Sequence, residues 1–166
     1  GKQLKRPKTV WIVCESAALW AQSFQRVLLG EPGEEIGTGL IPKDLLCEPK
    51  PWPSNPGAYS SFLVKHVKGH FVSVNIKTNE MLREQFQAAK VDIIVFDEEP
   101  AEHVYKESMM RLMATPGRES GISLLMFTPM KGLTPVVLKY LINGQIREDG
   151  KVPGSPSKYV VNITWH

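Results

Sequence analysis

The stretch that decides the fold is Val91-Asp92-Ile93-Ile94-Val95-Phe96-Asp97-Glu98-Glu99-Pro100. Val91 to Phe96 reads as a buried strand, and its β-branched and aromatic residues Ile93 to Phe96 are of the kind buried on both faces of a parallel sheet. It opens directly onto three carboxylates and a proline. A helix is predicted over about Ala101 to Ala114, with Val104, Met109, Leu112 and Met113 as core contacts, stopped by Thr115-Pro116-Gly117. The same grammar recurs on either side. Upstream, Thr9-Val10-Trp11-Ile12-Val13-Cys14 reads as a buried strand. Ser16 then caps a helix whose apolar positions are Ala17, Trp20, Phe24, Val27 and Leu28, closed by Gly30 and Pro32. Downstream, Ile122 to Phe127 is a third buried strand closed by Thr128-Pro129, followed by a helix over roughly Thr134 to Ile142. Strands alternating with helices predict an α/β fold with a mainly parallel sheet and flanking helices. Ligands of such sheets bind outside the carboxyl ends of the strands. Asp97, Glu98 and Thr128 fall there.

The intervening segments differ. Five prolines lie from Pro42 to Pro56, so residues 31–60 are expected to be an irregular connection. Ser61 to Val67 and His70 to Ile76 flank Lys68-Gly69 and read as a β-hairpin over 61–76. Asn79 to Ala89 suggests a short helix, residues 144–157 a polar loop, and Tyr159 to Thr164 a last strand. The chain is taken as a single partial domain over 1–166.

Composition removes several classes. Hydrophobic residues at 42% and charged residues at 22% are ordinary for a folded globular chain, so disorder is not expected. No apolar run approaches the roughly 18 residues of a membrane span. Cys14 and Cys47 are far apart with no CxxC, which argues against a disulfide framework or a cysteine zinc site. Twenty basic against 17 acidic residues give +3, too mild to identify a polyanionic partner, although Lys2, Lys5, Arg6 and Lys8 crowd the start.

The chemistry concentrates at Asp97-Glu98-Glu99. Adjacent carboxylates at a buried strand end repel, and a cation or a shared proton relieves them. In P-loop nucleotide hydrolases this is the Walker B pattern: the first acid orients the magnesium shell and the next positions the attacking water. The same residues would also suit the first turn of the following helix, whose dipole favours acids and where Pro100 fits. The local pattern leaves both readings open. Thr128, at the tip of the neighbouring strand, is placed either to sense a γ-phosphate or the attacking water, or simply to cap a turn.

The longer text decides further. "VDIIVFDEEP", then "VYKESMMRLMAT", then "ISLLMFTPMKGLTPVV" closely resembles the large subunit of tailed-phage terminases. "ESAALWAQSFQRVLLG", "IGTGLIPKDLL", "LVKHVKGHFVSVNIKT" and "LREQFQAAK" fit the same family in the same order. The resemblance implies part of the N-terminal ATPase domain of a DNA-packaging motor, P-loop NTPase-like in fold. It implies Asp97 as the magnesium-orienting acid, Glu98 as the catalytic carboxylate and Thr128 as the coupling motif. Glu99 best suits the helix N-terminus, and Arg83 is the candidate for an arginine acting in trans, with Arg111 and Arg118 as weaker ones. Implied cofactors are Mg2+ and ATP. Implied partners are double-stranded DNA, the portal protein, the small terminase subunit and further copies in a ring on the procapsid, in the cytoplasm of the bacterial host.

The departure from the family is the P-loop. GxxxxGK[ST] is absent, and Gly37-Thr38-Gly39 lacks the strand–loop–helix setting. The acidic nuclease cluster is absent as well. The expectation is an internal piece of the ATPase domain, with an exposed sheet edge where a P-loop strand is missing, inactive alone. The competing readings are a helicase-like P-loop motor, a non-catalytic interaction module of a phage assembly ring, and an acidic nuclease site. His66 and His70, flanking the hairpin turn, are read as solvated surface rather than metal ligands, and Met109, Met110 and Met113 as core.

Overall fold

The computed structural model describes residues 8–32, 35–86, 90–113, 120–128, 132–142, 145–146, 150–152 and 158–161. Two compact units divide the chain, residues 1–128 and 129–166.

The first unit is built on one six-stranded sheet. Its elements in chain order are β1 (Thr9–Cys14), α1 (Ala17–Gln22), α2 (Phe24–Leu29), β2 (Leu46–Trp52), β3 (Asn55–Lys65) and β4 (Phe71–Thr78). A short 3-10 turn (Arg83–Phe86), β5 (Ile93–Asp97), α3 (Glu102–Arg111) and β6 (Ile122–Met126) complete it. The strand order is β2-β3-β4-β1-β5-β6. β1 runs parallel to β4 and β5, and β5 parallel to β6. β2, β3 and β4 form an antiparallel meander. The sheet is therefore mixed and mainly parallel in its central part, as an α/β reading requires.

The hairpin is part of this sheet rather than an appendage. Val74 and Ile76 of β4 stand beside Val10 and Ile12 of β1 in parallel register. The proline-rich segment is also more ordered than its composition suggests: Pro49 and Pro51 lie within β2. β2 is the edge strand, where a missing N–H breaks no ladder. Register shifts along β2 and a left-handed Glu48 (φ 47) mark it as bulged.

The helix expected after β1 is broken into two at Ser23, whose backbone (φ −122, ψ −87) leaves the helical region. Ser16 caps α1 by accepting from the Leu19 N–H. The pair seals one face of the sheet. Trp20 and Leu29 pack on Ile12, Cys14, Phe62, Val74 and Ile76. Trp20 Nε1 donates to the Tyr59 carbonyl at 2.9 Å. Gln25, completely buried, donates to the Gly57 carbonyl and accepts from the Tyr59 N–H at 2.7 and 2.8 Å. A buried amide is tolerated because both of its ends are satisfied.

The other face carries Trp11 and Val13 beside Ile94 and Phe96. The Trp11 ring meets Phe86 edge-on at 5.7 Å, and Phe96 meets Tyr105 of α3 at 5.9 Å. Val104 and Leu112 are buried as expected, whereas Met110 and Met113 are exposed and Arg111 pairs with Glu107 on the same helix. Gly121 leads into β6 where a Cβ would sit 2.6 Å from the Asp92 carbonyl, so only glycine fits. β6 is the second edge strand, and its Leu124 and Met126 are about half exposed. It is not the fully buried strand that its apolar run predicts.

The second unit contains α4 (Pro135–Leu138), β7 (Leu141–Ile142), β8 (Gln145–Ile146), β9 (Gly150–Lys151) and β10 (Tyr159–Val160). Thr134 caps α4, accepting from Val137 N–H, and Pro135 occupies the first turn. β7 pairs with β8 and β9 with β10, both antiparallel. The last strand thus pairs in a two-stranded ribbon, outside the large sheet. No helix among the described residues is long and apolar enough to cross a membrane.

Candidate active site

The site is assembled at the carboxyl ends of the parallel strands. β5 lies between β1 and β6 and ends at Asp97, which stands in register with Met126. Thr128 follows two residues beyond Met126 and is exposed. The chain turns sharply at Glu98, whose φ of 94 is a conformation that a side chain disfavours. The Glu98 N–H donates to the Met126 carbonyl at 3.0 Å. That bond ties the acidic turn to the strand that carries Thr128.

The three carboxylates have three environments. Asp97 is half-buried, and burial pushes its carboxyl pKa above the ordinary range. No hydrogen-bond donor or cation among the described residues meets that carboxylate. Glu98 is exposed. Glu99 is buried, with 8% of its surface accessible, and Pro100 beside it is buried too. The N-cap of α3 is Ala101 and the acid of its first turn is Glu102. Glu99 precedes the helix.

Reading along the chain missed three residues around Asp97. Cys14 ends β1 beside it, and its thiol is pushed up to about 12 by burial and, secondarily, by the Asp97 charge. Thr78, in register with Cys14, is buried at the end of β4. Asn79 follows and binds both ways: its N–H donates to the Cys14 carbonyl, and its Oδ1 accepts from the Ala101 N–H, both at 3.1 Å. Asn79 therefore pins the far end of the Glu98–Pro100 turn, as Met126 pins the near end. The available signal was position: a side-chain acceptor directly after a strand that neighbours β1.

The other candidates are dispersed. Arg83 lies on the 3-10 turn after β4, and its side chain is outside the described residues, as is Arg118. Arg111 is engaged with Glu107, and its carbonyl accepts from Val91, at the opposite end of β5. His66 and His70 stack at 4.4 Å in the β3–β4 turn, away from the carboxylates. Among the described residues no group of three or more His, Cys, Asp or Glu side chains is arranged to hold a metal by itself. The donor chemistry at Asp97 does suit one hard cation whose remaining positions are filled by water and ligand oxygens, as magnesium prefers.

Along 99% of its length the chain is 32% identical to the terminase large subunit of Salmonella phage P22. It spans about a third of that relative, 32% of its length. No protein-family profile and no solved structure matches the chain. The similarity to terminase large subunits read from the sequence is thus borne out over nearly every residue.

Proposed function

Taking the chain as a relative of the phage terminase large subunit, we propose that it is the part of a DNA-packaging motor that holds the hydrolytic carboxylates of the ATPase. One observation carries this reading. Two carboxylates of unlike environment, Asp97 half-buried and Glu98 exposed, sit at the end of a strand flanked on both sides by parallel strands, on a turn held at both ends. A turn that serves only as a helix cap has no need of a strained glutamate.

The residues divide the work. Asp97 would hold magnesium through its hydration shell, and the cation would stabilise its desolvated charge. Glu98 projects from a rigid turn, where it orients a water and takes its proton. Thr128, on the loop bonded to that turn, is positioned to register what occupies the site. Asp97 would hold a magnesium ion, which when bound would supply charge neutralisation for phosphoryl transfer. Phosphoryl transfer depends chiefly on positioning and electrostatics, which a strand end braced by Met126 and Asn79 provides. The phosphate cradle itself would come from a P-loop elsewhere in the longer protein, so this chain alone is expected to be inactive. Double-stranded DNA, the portal, the small subunit and ring neighbours are the partners of the whole machine at the procapsid.

Calorimetry of Mg–ATP binding tests the reading, comparing this chain with one extended upstream through a P-loop. Binding by the longer chain only, with hydrolysis reduced about 10²–10⁴-fold in Glu98→Gln, is the expected result. If neither chain binds nucleotide, the non-catalytic interaction module takes its place.

A further inference from the structure

The β2–β3–β4 side of the sheet has a different character from the carboxylate turn. From residue 49 to residue 79 the sequence contains no Asp or Glu, while Lys50, Lys65, Lys68 and Lys77 are all present. This stretch covers most of β2 and all of β3 and β4. Lys77 is folded inward, over the rings of Trp11 and Phe86, and donates to the Gln85 carbonyl. Lys65 and Lys68 are exposed at the β3–β4 turn. Lys8, also exposed, comes alongside β4, its carbonyl accepting from Ser73, and its N–H donates to the Asp92 carboxylate, so the charge there is balanced by an acid. On the neighbouring turn Asp44 is exposed next to Lys43, so their charges cancel locally.

The turn is closed by its own hydrogen bonds. His66 N–H donates to the His70 carbonyl and Gly69 N–H to the His66 carbonyl, both at 2.8 Å. The two imidazoles stack at 4.4 Å. His66 Nδ1 accepts from the Lys68 N–H at 3.2 Å. Gly69 takes φ 82, and a Cβ built there would meet nothing within 4 Å. Val67 at the tip is 89% exposed and Phe71 beside it 52%. The turn joins two interior strands of the sheet, so only its tip, and no free ribbon, extends past β1 and β2. An apolar tip between two lysines, with no acid of its own, does not repel a duplex backbone, and lysines there reach phosphates.

We infer that the β3–β4 turn, through Lys65 and Lys68 with His66 between them, is a phosphate-backbone contact for double-stranded DNA. That the polyanion is DNA rests on the packaging reading; the contact itself rests on the hairpin. The turn carries no Arg, Asn or Gln, and its two lysines are assigned to phosphates rather than to base edges, so binding is expected to be independent of sequence. β4 spans eight residues from the turn to Thr78. At about 3.3 Å per residue the contact lies roughly 23 Å from the carboxylate end of the sheet. DNA and nucleotide would engage opposite ends of the same strands.

The test is fluorescence anisotropy of a short mixed-sequence duplex with this chain, across salt concentrations. Each lost phosphate contact flattens the slope of log K against log salt by about 0.9. Lys65→Gln/Lys68→Gln should therefore flatten it by about 1.8. Between about 50 and 200 mM salt the parent should lose roughly tenfold more affinity than the variant. Lys65→Arg/Lys68→Arg should keep the parent slope, and Lys106→Gln, on α3, should leave it unchanged. Circular dichroism melts verify that each variant is folded. No duplex binding by the parent, an unchanged slope in the glutamine variant, or an equal effect of Lys106→Gln overturns the inference. Hydrolysis by the longer protein separates the two proposals. Intact hydrolysis with an unchanged slope removes the hairpin contact alone, and a flattened slope in a protein that hydrolyses nothing removes the ATPase reading alone.

Discussion

Glu98 offers a test in which stability and activity should move in opposite directions. Its φ of 94 lies in the region where a Cβ crowds the backbone, at a cost of about 1–2 kcal/mol for an L-residue. Alanine at this position keeps that penalty. Glycine removes it and costs about 0.5–1 kcal/mol in chain entropy. The net expectation is that Glu98→Gly is more stable than Glu98→Ala by about 0.5–1 kcal/mol, the reverse of the usual order at helical or extended sites. Urea denaturation resolves this: with a slope near 2 kcal/mol/M, the midpoints should differ by roughly 0.3–0.5 M. Both variants lose the carboxylate, so in the longer protein both should lose hydrolysis by about 10²–10⁴-fold. A glycine variant that is more stable and equally inactive identifies the strain as held in place for the reaction. An alanine variant as stable as the glycine variant, or more so, refutes the strain argument and with it the claim that the turn is built around Glu98.

Three further outcomes follow from the same geometry. Burial raises the Asp97 pKa above its ordinary 3.8, so the folded state holds the proton more tightly than the unfolded chain. The stability this contributes is complete below about pH 4 and is lost as the pH rises through the raised value. Asp97→Asn, which cannot ionise, should match the parent at low pH and gain on it up to neutrality in urea melts. Gln25→Ala strips two hydrogen bonds and leaves the Gly57 carbonyl and the Tyr59 N–H without them. It should cost about 2–4 kcal/mol, read as a fall in the urea midpoint without a change of slope. Asn79→Ala removes the acceptor that holds Ala101. A loss of only about 1 kcal/mol in a melt, with hydrolysis by the longer protein down by up to about 100-fold, would mark Asn79 as a positioning residue.

The parallel part of the fold was legible because three apolar runs announce themselves. Thr9–Cys14, Ile93–Asp97 and Ile122–Met126 became adjacent strands. The meander was legible only in part. Lys68-Gly69 marked the turn, but Pro49 and Pro51 concealed β2. Proline removes a donor, and its effect depends on whether that donor faces a neighbour or an open edge, which the chain does not state locally. The same limit explains β6. Ile122 to Met126 is apolar enough for a central strand, yet β6 is the outer strand among the described residues and its Leu124 and Met126 are half exposed. An apolar run reports what a strand can tolerate on its faces, and its place in the sheet order is a property of the other strands. The break at Ser23 was equally hidden, since Trp20 and Phe24 keep helical spacing across it while their rings meet edge-on.

The site was half legible for a related reason. Asp97, Glu98 and Thr128 follow strands directly, so finding the strands found them. What holds them runs across strands. The acidic turn is fixed by the Met126 carbonyl from β6 and by Asn79 from the loop after β4, 28 and 22 residues away in sequence. Neither partner belongs to a local motif. The consequence bears on what makes a strand-end carboxylate an operating one. An Asp-Glu pair after any strand can cap a helix, but here the N-cap position is Ala101, three residues beyond Glu98, and no side chain caps it. The acidic turn is therefore not the cap, and a glycine would suit its left-handed conformation better than Glu98 does. That a glutamate stands there instead, braced from both sides, is the point on which the hydrolytic reading rests, and it is the point that the glycine and alanine variants address directly.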